Sequence, residues 1–232
     1  MIHYHGTPIT PRAELLQLAG RSFCVSFARP DDVTVCHEIG EGVMLDNGAF
    51  SFWRTGKAVD WQRYYDFCER WLVHRTTWAV IPDVIDGDLE DNHRLIVQWF
   101  TQSHRWRRDA GAPVWHMHEP IDHLRRLVGG YQRVCFGSSG QYATVGNDAW
   151  RRRCDEAFNA IHREGRVDCW IHMLRGLALA GSEYPFASAD STNVARNHNR
   201  PQNTALKLAT RIDAQQCAPV WVPRFHTEEL AA

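Results

Sequence analysis

GVMLDNGAF, residues 42–50, runs from residues suited to a buried strand directly into an acid, an amide and a glycine. A strand gains nothing from ending in Asp46 and Asn47 unless that end faces water, a turn or a ligand. Short apolar runs with similar ends recur in SFCVSF (22–27), TWAVIPD (77–83), APVWHMH (112–118), RVCFGSS (133–139), CWIHML (169–174), FASADS (186–191) and VWVPRF (220–225), eight with GVMLDN (42–47). Between them lie segments with helical spacing of apolar residues, over 60–75, 89–109, 121–130 and 147–165. Alternation of strand and helix implies a parallel sheet. Eight such units in 232 residues fit an α/β fold of the (β/α)8 TIM-barrel type, one domain over 1–232. IHYHG (2–6) is then expected as a short extra strand before the barrel. No G-x-G-x-x-G follows the first strand, which weakens a dinucleotide-binding reading.

Composition supports a sizeable core, with 44% hydrophobic residues and ten each of Trp and Phe. The 26 Lys and Arg against 27 Asp and Glu give a net charge of −1, so nucleic acid would not be coated through global charge. Local basic patches stand at Arg105, Arg107 and Arg108 and at Arg151, Arg152 and Arg153, where the simpler reading is a solvated helix face. Seven cysteines, an odd number without a C-x-x-C pair, fit a reducing compartment, and Cys24, Cys135 and Cys169 lie in apolar runs as core thiols. The N-terminus lacks a leader pattern and no window approaches the roughly 18 apolar residues of a membrane span, so a cytoplasmic protein without membrane contact is expected.

In such barrels the chemistry sits at the C-terminal strand ends. Those ends carry Asp46 and Asn47, then Asp83, then His116 and His118, then Gly137 and Ser138, then His172 and Arg175, and finally Asp190 with Ser191 and Asn193. A strand-end Asp often only caps a turn, and Asp86 and Asp88 read as turn and helix-cap residues. Two carboxylates on one rim would suit glycosidic chemistry, one attacking an anomeric carbon while the other exchanges a proton with the leaving base.

The order of LDNGAF, IPDVIDGD, FGSSGQ, IHMLRGLAL and FASADSTNVARN resembles the tRNA-guanine transglycosylases, and most of all their short DNA-modifying 7-deazaguanine relatives. The resemblance spans residues 42 to 197. It implies base exchange in a polynucleotide, DNA in preference to tRNA, with a 7-deazaguanine such as 7-cyano-7-deazaguanine replacing guanine. It implies Asp190 as the nucleophile on C1′ and Asp46 as the acid/base, with Asn47 and Gly48 shaping the corner that aims Asp46. Asp83 would read the N1–H and 2-amino edge of the base, Gly137 and Ser138 would offer main-chain contacts, Met173 a packing surface, and His116 a further contact. Phe50 is open to two uses, stacking on the base or packing in the core. The family's Cys-x-Cys-x-x-Cys and His cluster has only Cys217 and His226 to answer it, so no structural zinc and no other cofactor is expected. The target nucleotide must be single-stranded or flipped out, its phosphates meeting Arg196, Arg200, Lys207 and Arg211 and also the Arg105–Arg108 group.

Other readings stay open. HYH (3–5) and HMH (116–118) each set two histidines on one strand face, a spacing used by zinc-dependent barrel hydrolases. A nucleic-acid-binding barrel without catalysis and a hydrolase of free nucleosides are further alternatives. A homodimer, or an accessory protein supplying nucleic-acid-binding surface, is left open as well.

Overall fold

The computed structural model describes residues 1–176 and 183–225. The end of the IHMLRGLAL motif and His226 lie outside these residues. The elements follow in the order β1 (Ile2–Gly6), α1 (Arg12–Leu16), β2 (Ser22–Ser26), α2 (Val33–Ile39), β3 (Gly42–Asp46), α3 (Ala49–Arg54), α4 (Trp61–Trp71), β4 (Thr77–Val80), α5 (Leu89–Thr101), β5 (Gly111–Ala112), β6 (Val114–His116), α6 (Ile121–Gly130), β7 (Arg133–Gly137), α7 (Asp148–Arg163), β8 (Trp170–Met173), β9 (Ser188–Ser191), α8 (Asn193–Asn197) and α9 (Ala205–Asp213). All strand pairs are parallel, in the order β5-β4-β3-β2-β1-β9-β8-β7-β6. This is a TIM-type α/β barrel.

The count of nine strands among the described residues has a chemical cause. Strands β5 and β6 follow each other along the chain with only Pro113 between them. Proline has no N–H to add to a ladder, although its carbonyl still accepts from Cys135 N at 2.8 Å. The first half therefore pairs with β4 and the second with β7. The two sheet edges meet at one residue.

Two of the sequence expectations are corrected. IHYHG is not an extra strand before the barrel, because β1 is hydrogen-bonded between β2 and β9 as a full stave of the wall. VWVPRF is not a strand; only Trp221 is buried there, packed against Phe158 and Tyr184, with its indole N–H donating to Asn159 Oδ1 at 2.9 Å. Pro219 precedes this segment and Pro223 interrupts it, each removing an N–H group that a ladder would need.

Alternation along the strands builds two apolar layers. Tyr4, Cys24, Met44, Trp78, Val80, Ala112, Val114 and Cys135 fill the barrel interior. Val43, Leu45, Ala79, Trp115, Phe136, Ile171 and Ala189 face the helices. The helices start where the sequence supplies caps: Asp60 accepts from Arg63 N, Asn147 from Trp150 N and Thr204 from Lys207 N, while Asp88 and Asp91 form a reciprocal capping box on α5. The cap reading of Asp88 is thus met, and Asp86 accepts from the Trp53 indole at 2.5 Å. The side chains of Arg105 and Arg107 are taken up locally, the first by Asp66 and Glu69, the second by the carbonyls of Leu72, His74 and Thr77. Cys24, Cys135 and Cys169 are buried free thiols. Among the described residues no helix is long and apolar enough to cross a membrane.

Candidate active site

The period of two that puts Met44 inside the barrel puts Asp46 on the same inner face, one step nearer the C-terminal end. The same parity turns Asp190 inward on β9 and His116 inward at the end of β6. These side chains open into a cavity of about 750 Å³ at the C-terminal mouth, lined also by Asn47, Phe50, Asp83, Gly137, Ser138 and Arg196. That volume is ordinary for a small-ligand site.

Asp46 ends β3 and is followed by a glycine corner. Gly48 has φ +77°, in the left-handed region, and a Cβ there would meet Ala28 N at 3.0 Å. The turn directs Gly48 N to Asp46 Oδ2 at 3.3 Å, and Asn47 Oδ1 accepts from Ala49 N at 2.9 Å. Burial pushes the Asp46 carboxyl up to about 6, helped by the negative charges of Asp190 and Asp83 and opposed by hydrogen bonds from Ser26 and Gly48.

Asp190 is buried but supplied with donors. Its Oδ1 accepts from Arg175 N at 2.9 Å and lies 3.3 Å from His172 Nε2. His172 is fully buried, and burial pulls its pKa down against the pull of Asp190, so the ring is neutral. Ser188 Oγ lies 2.8 Å from His172 Nδ1 and accepts from Trp170 Nε1 at 2.6 Å. With the indole N–H fixed as a donor, the serine proton points to Nδ1 and the ring carries its own proton on Nε2, toward Asp190. The carboxylate is thereby oriented through Oδ1, and Oδ2 meets no donor among the described residues. Arg175, whose N–H holds Asp190, has φ +55°, a costly conformation for a side-chain-bearing residue.

Asp83 is the centre of a second group. Its Oδ1 accepts from Asn47 Nδ2 at 2.7 Å, and its Oδ2 lies 3.0 Å from His116 Nε2. Asn47 also donates to Ile81 O at 2.8 Å, which ties the end of β3 to that of β4. Burial pulls the His116 pKa down, but Asp83 and Glu119 outweigh it and the net direction is upward. Glu119 in turn accepts from His116 N at 3.0 Å and from Asn92 at 3.2 Å.

Of the residues singled out in the sequence, Asp46, Asn47, Phe50, Asp83, His116, Gly137, Ser138, Asp190 and Arg196 share the cavity. Ser138 Oγ is occupied by the Trp150 indole N–H at 3.0 Å, which leaves its backbone for a ligand. Phe50 resolves its two uses in favour of the cavity, with the Arg175 guanidinium 3.8 Å from its ring centroid. Gly48 stands behind the wall as a corner residue. Met173 does not reach the cavity: it faces the helix layer with no exposed surface, and the next residue, Leu174, lines the site instead. Arg200, Lys207 and Arg211 do not reach it either; Lys207 Nζ donates to Gln202 O at 3.0 Å. Sequence reasoning missed Arg29 and Arg54, which sit in loop and helix positions without a strand-end signal and join Arg175 and Arg196 around the mouth.

The two histidine pairs do not converge. His3 and His5 face α9, where His3 Nε2 donates to Gln215 O at 2.8 Å and His5 lies 3.0 Å from Asp213. His116 is held by Asp83, and His118 by Ser139 at 2.7 Å. Among the described residues no three or more His, Cys, Asp and Glu side chains gather as a metal site.

The chain matches no known protein-family model, and none of the curated proteins matches it.

Proposed function

We propose that this protein is a base-exchange transglycosylase that replaces guanine in a polynucleotide, DNA in the first place, by a 7-deazaguanine. The observation that carries the reading is a pair of carboxylates in one cavity with divergent surroundings. Asp46 is pushed up to about 6, and Asp190 is held through one oxygen by Arg175 N and His172.

In the first half-reaction Asp190 Oδ2 attacks C1′ and the C1′–N9 bond breaks. The electron pair leaves with N9, which takes a proton from Asp46. In the second half, Asp46 removes the N9 proton of the incoming base, N9 attacks C1′ and Asp190 departs. A carboxyl titrating near neutrality suits both directions of proton transfer. Asp83 keeps further lone pairs beyond the bond from Asn47 and the ion-pair contact with His116, enough to accept from the N1–H and 2-amino groups of a guanine ring. Arg29, Arg54 and Arg196 at the mouth suit the phosphates on either side of a flipped-out nucleotide.

The test is incubation with DNA or tRNA and labelled guanine or 7-cyano-7-deazaguanine, followed by measurement of label kept in polymer after denaturing purification. Incorporation into DNA that disappears in Asp190→Asn is expected. Incorporation into tRNA alone would overturn the polymer assignment, and incorporation into neither would overturn the activity.

A further inference from the structure

The barrel has a second opening. Where the strands begin, a cavity of about 340 Å³ lies between the starts of β1, β4, β7 and β8 and shares no lining residue with the upper site. A layer of Tyr4, Trp78 and His172 separates the two, with ring centroids 5.1 to 5.9 Å apart and the Trp78 indole donating to Tyr4 Oη at 3.0 Å.

Arg133, the first residue of β7, has the parity of Cys135 and so turns its side chain into this opening. Its guanidinium lies 4.7 Å from the Trp78 ring centroid and 5.2 Å from that of Trp170. It forms no hydrogen bond or ion pair with any described residue, and its Nε is buried and unpartnered. Unsatisfied buried polar groups are rare enough to require an explanation.

The nearby charges do not supply one. Asp109 is paired with Arg107 at 3.3 Å and Asp168 with Arg166 at 3.2 Å. Arg107 is in turn spent on three backbone carbonyls. Arg75, exposed on the rim of the same cavity, likewise has no acidic partner. Two guanidinium groups without an ion-pair partner therefore share one cavity, which the carboxylates of Asp109 and Asp168 also line, and one of the two is fixed between indole rings before any ligand arrives. A fixed fork of donors is the arrangement that recognises phosphate oxygens.

We propose that this lower cavity is a binding site for a phosphoryl group, as inorganic phosphate or as a phosphate monoester, held by Arg133 and Arg75. It is separate from the exchange site and does not depend on the reading of that site.

Calorimetric titration of the full chain with inorganic phosphate, with AMP and with acetate tests it. Saturable binding of phosphate or AMP that weakens with added salt and persists in Arg196→Ala is expected, with acetate markedly weaker. Preference for AMP would identify the ester as ligand, and preference for phosphate the free ion. Arg133→Met, which keeps an apolar stem between the indoles, is expected to bind about tenfold more weakly or worse. Arg75→Ala, an exposed position that folding does not need, is expected to lose several-fold, and Arg196→Ala at the upper cavity to bind as the parent does. The proposal is overturned by absence of binding at millimolar phosphate, by Arg75→Ala binding unchanged, by acetate binding as tightly as phosphate, or by loss of binding in Arg196→Ala.

Discussion

Replacing Asp46 by Asn should make the protein more stable at neutral and alkaline pH while disabling it. In the fold Asp46 titrates at about 6, and the ordinary value for an Asp is 3.8. Below the lower value both folded and unfolded chains carry the proton. Between the two values the unfolded chain has released it and the folded chain still holds it, so stability falls as pH rises through this window and stays lower above it. That difference is worth about 3 kcal/mol. Asn pays no such cost at any pH, but it keeps only one acceptor oxygen for the bonds that Ser26 and Gly48 make to the carboxyl. A net gain of roughly 2 kcal/mol above pH 7 remains, shrinking to near zero or below at pH 4. Urea unfolding of both proteins at intervals from pH 4 to 8 measures it. A variant less stable than the parent at pH 8, or a difference that does not change with pH, would refute the account of Asp46 as a carboxyl strained by burial and by its acidic neighbours.

Other expectations concern the same mouth. In the proposed exchange, base departure takes a proton from Asp46, so the rate of adduct formation in single turnover should fall as pH rises through about 6. Ser188→Ala removes the group that fixes the His172 tautomer and should lower kcat about tenfold with little change in KM; equal loss in both would argue for a general structural defect. Gly48→Ala forces a Cβ into the left-handed region against Ala28 N and should cost about 2 kcal/mol in thermal or urea unfolding. Arg54→Ala and Arg196→Ala should each reduce the salt dependence of polynucleotide binding by about one counterion, seen as a shallower slope of log affinity against log salt.

The barrel was legible because parallel strands buried on both faces read as short apolar runs, and because the helices between them kept their period and their caps. Membership in the wall was harder. His3 and His5 make β1 look polar, and only the distant Gln215 carbonyl and Asp213 carboxylate, more than two hundred residues along the chain, make their burial tolerable. VWVPRF misleads in the opposite direction: Val220 and Val222 are 69% and 72% exposed, and the segment docks through Trp221 and through Arg224, which pairs with Asp155 and Glu183. At the site, the strand-end acids carried their own signal, since nothing apolar explains them. Met173 did not, because a step of one residue along β8 exchanges the cavity for the helix layer. Arg29 and Arg54 were invisible for another reason: loop and helix arginines are common, and only the closed barrel brings them to one rim.

Pro113 has a consequence for how the cylinder holds together. Since β5 bonds only to β4 and β6 only to β7, the wall is a ribbon whose two ends are joined by a single covalent link rather than by a ladder. A cut in a loop elsewhere leaves the hydrogen-bonded ribbon and its covalent closure intact; new termini placed at this seam would remove the closure itself. Such a circular permutant would expose two raw sheet edges, each complementary to the other, and at high concentration the edge of one molecule would find its match in a second.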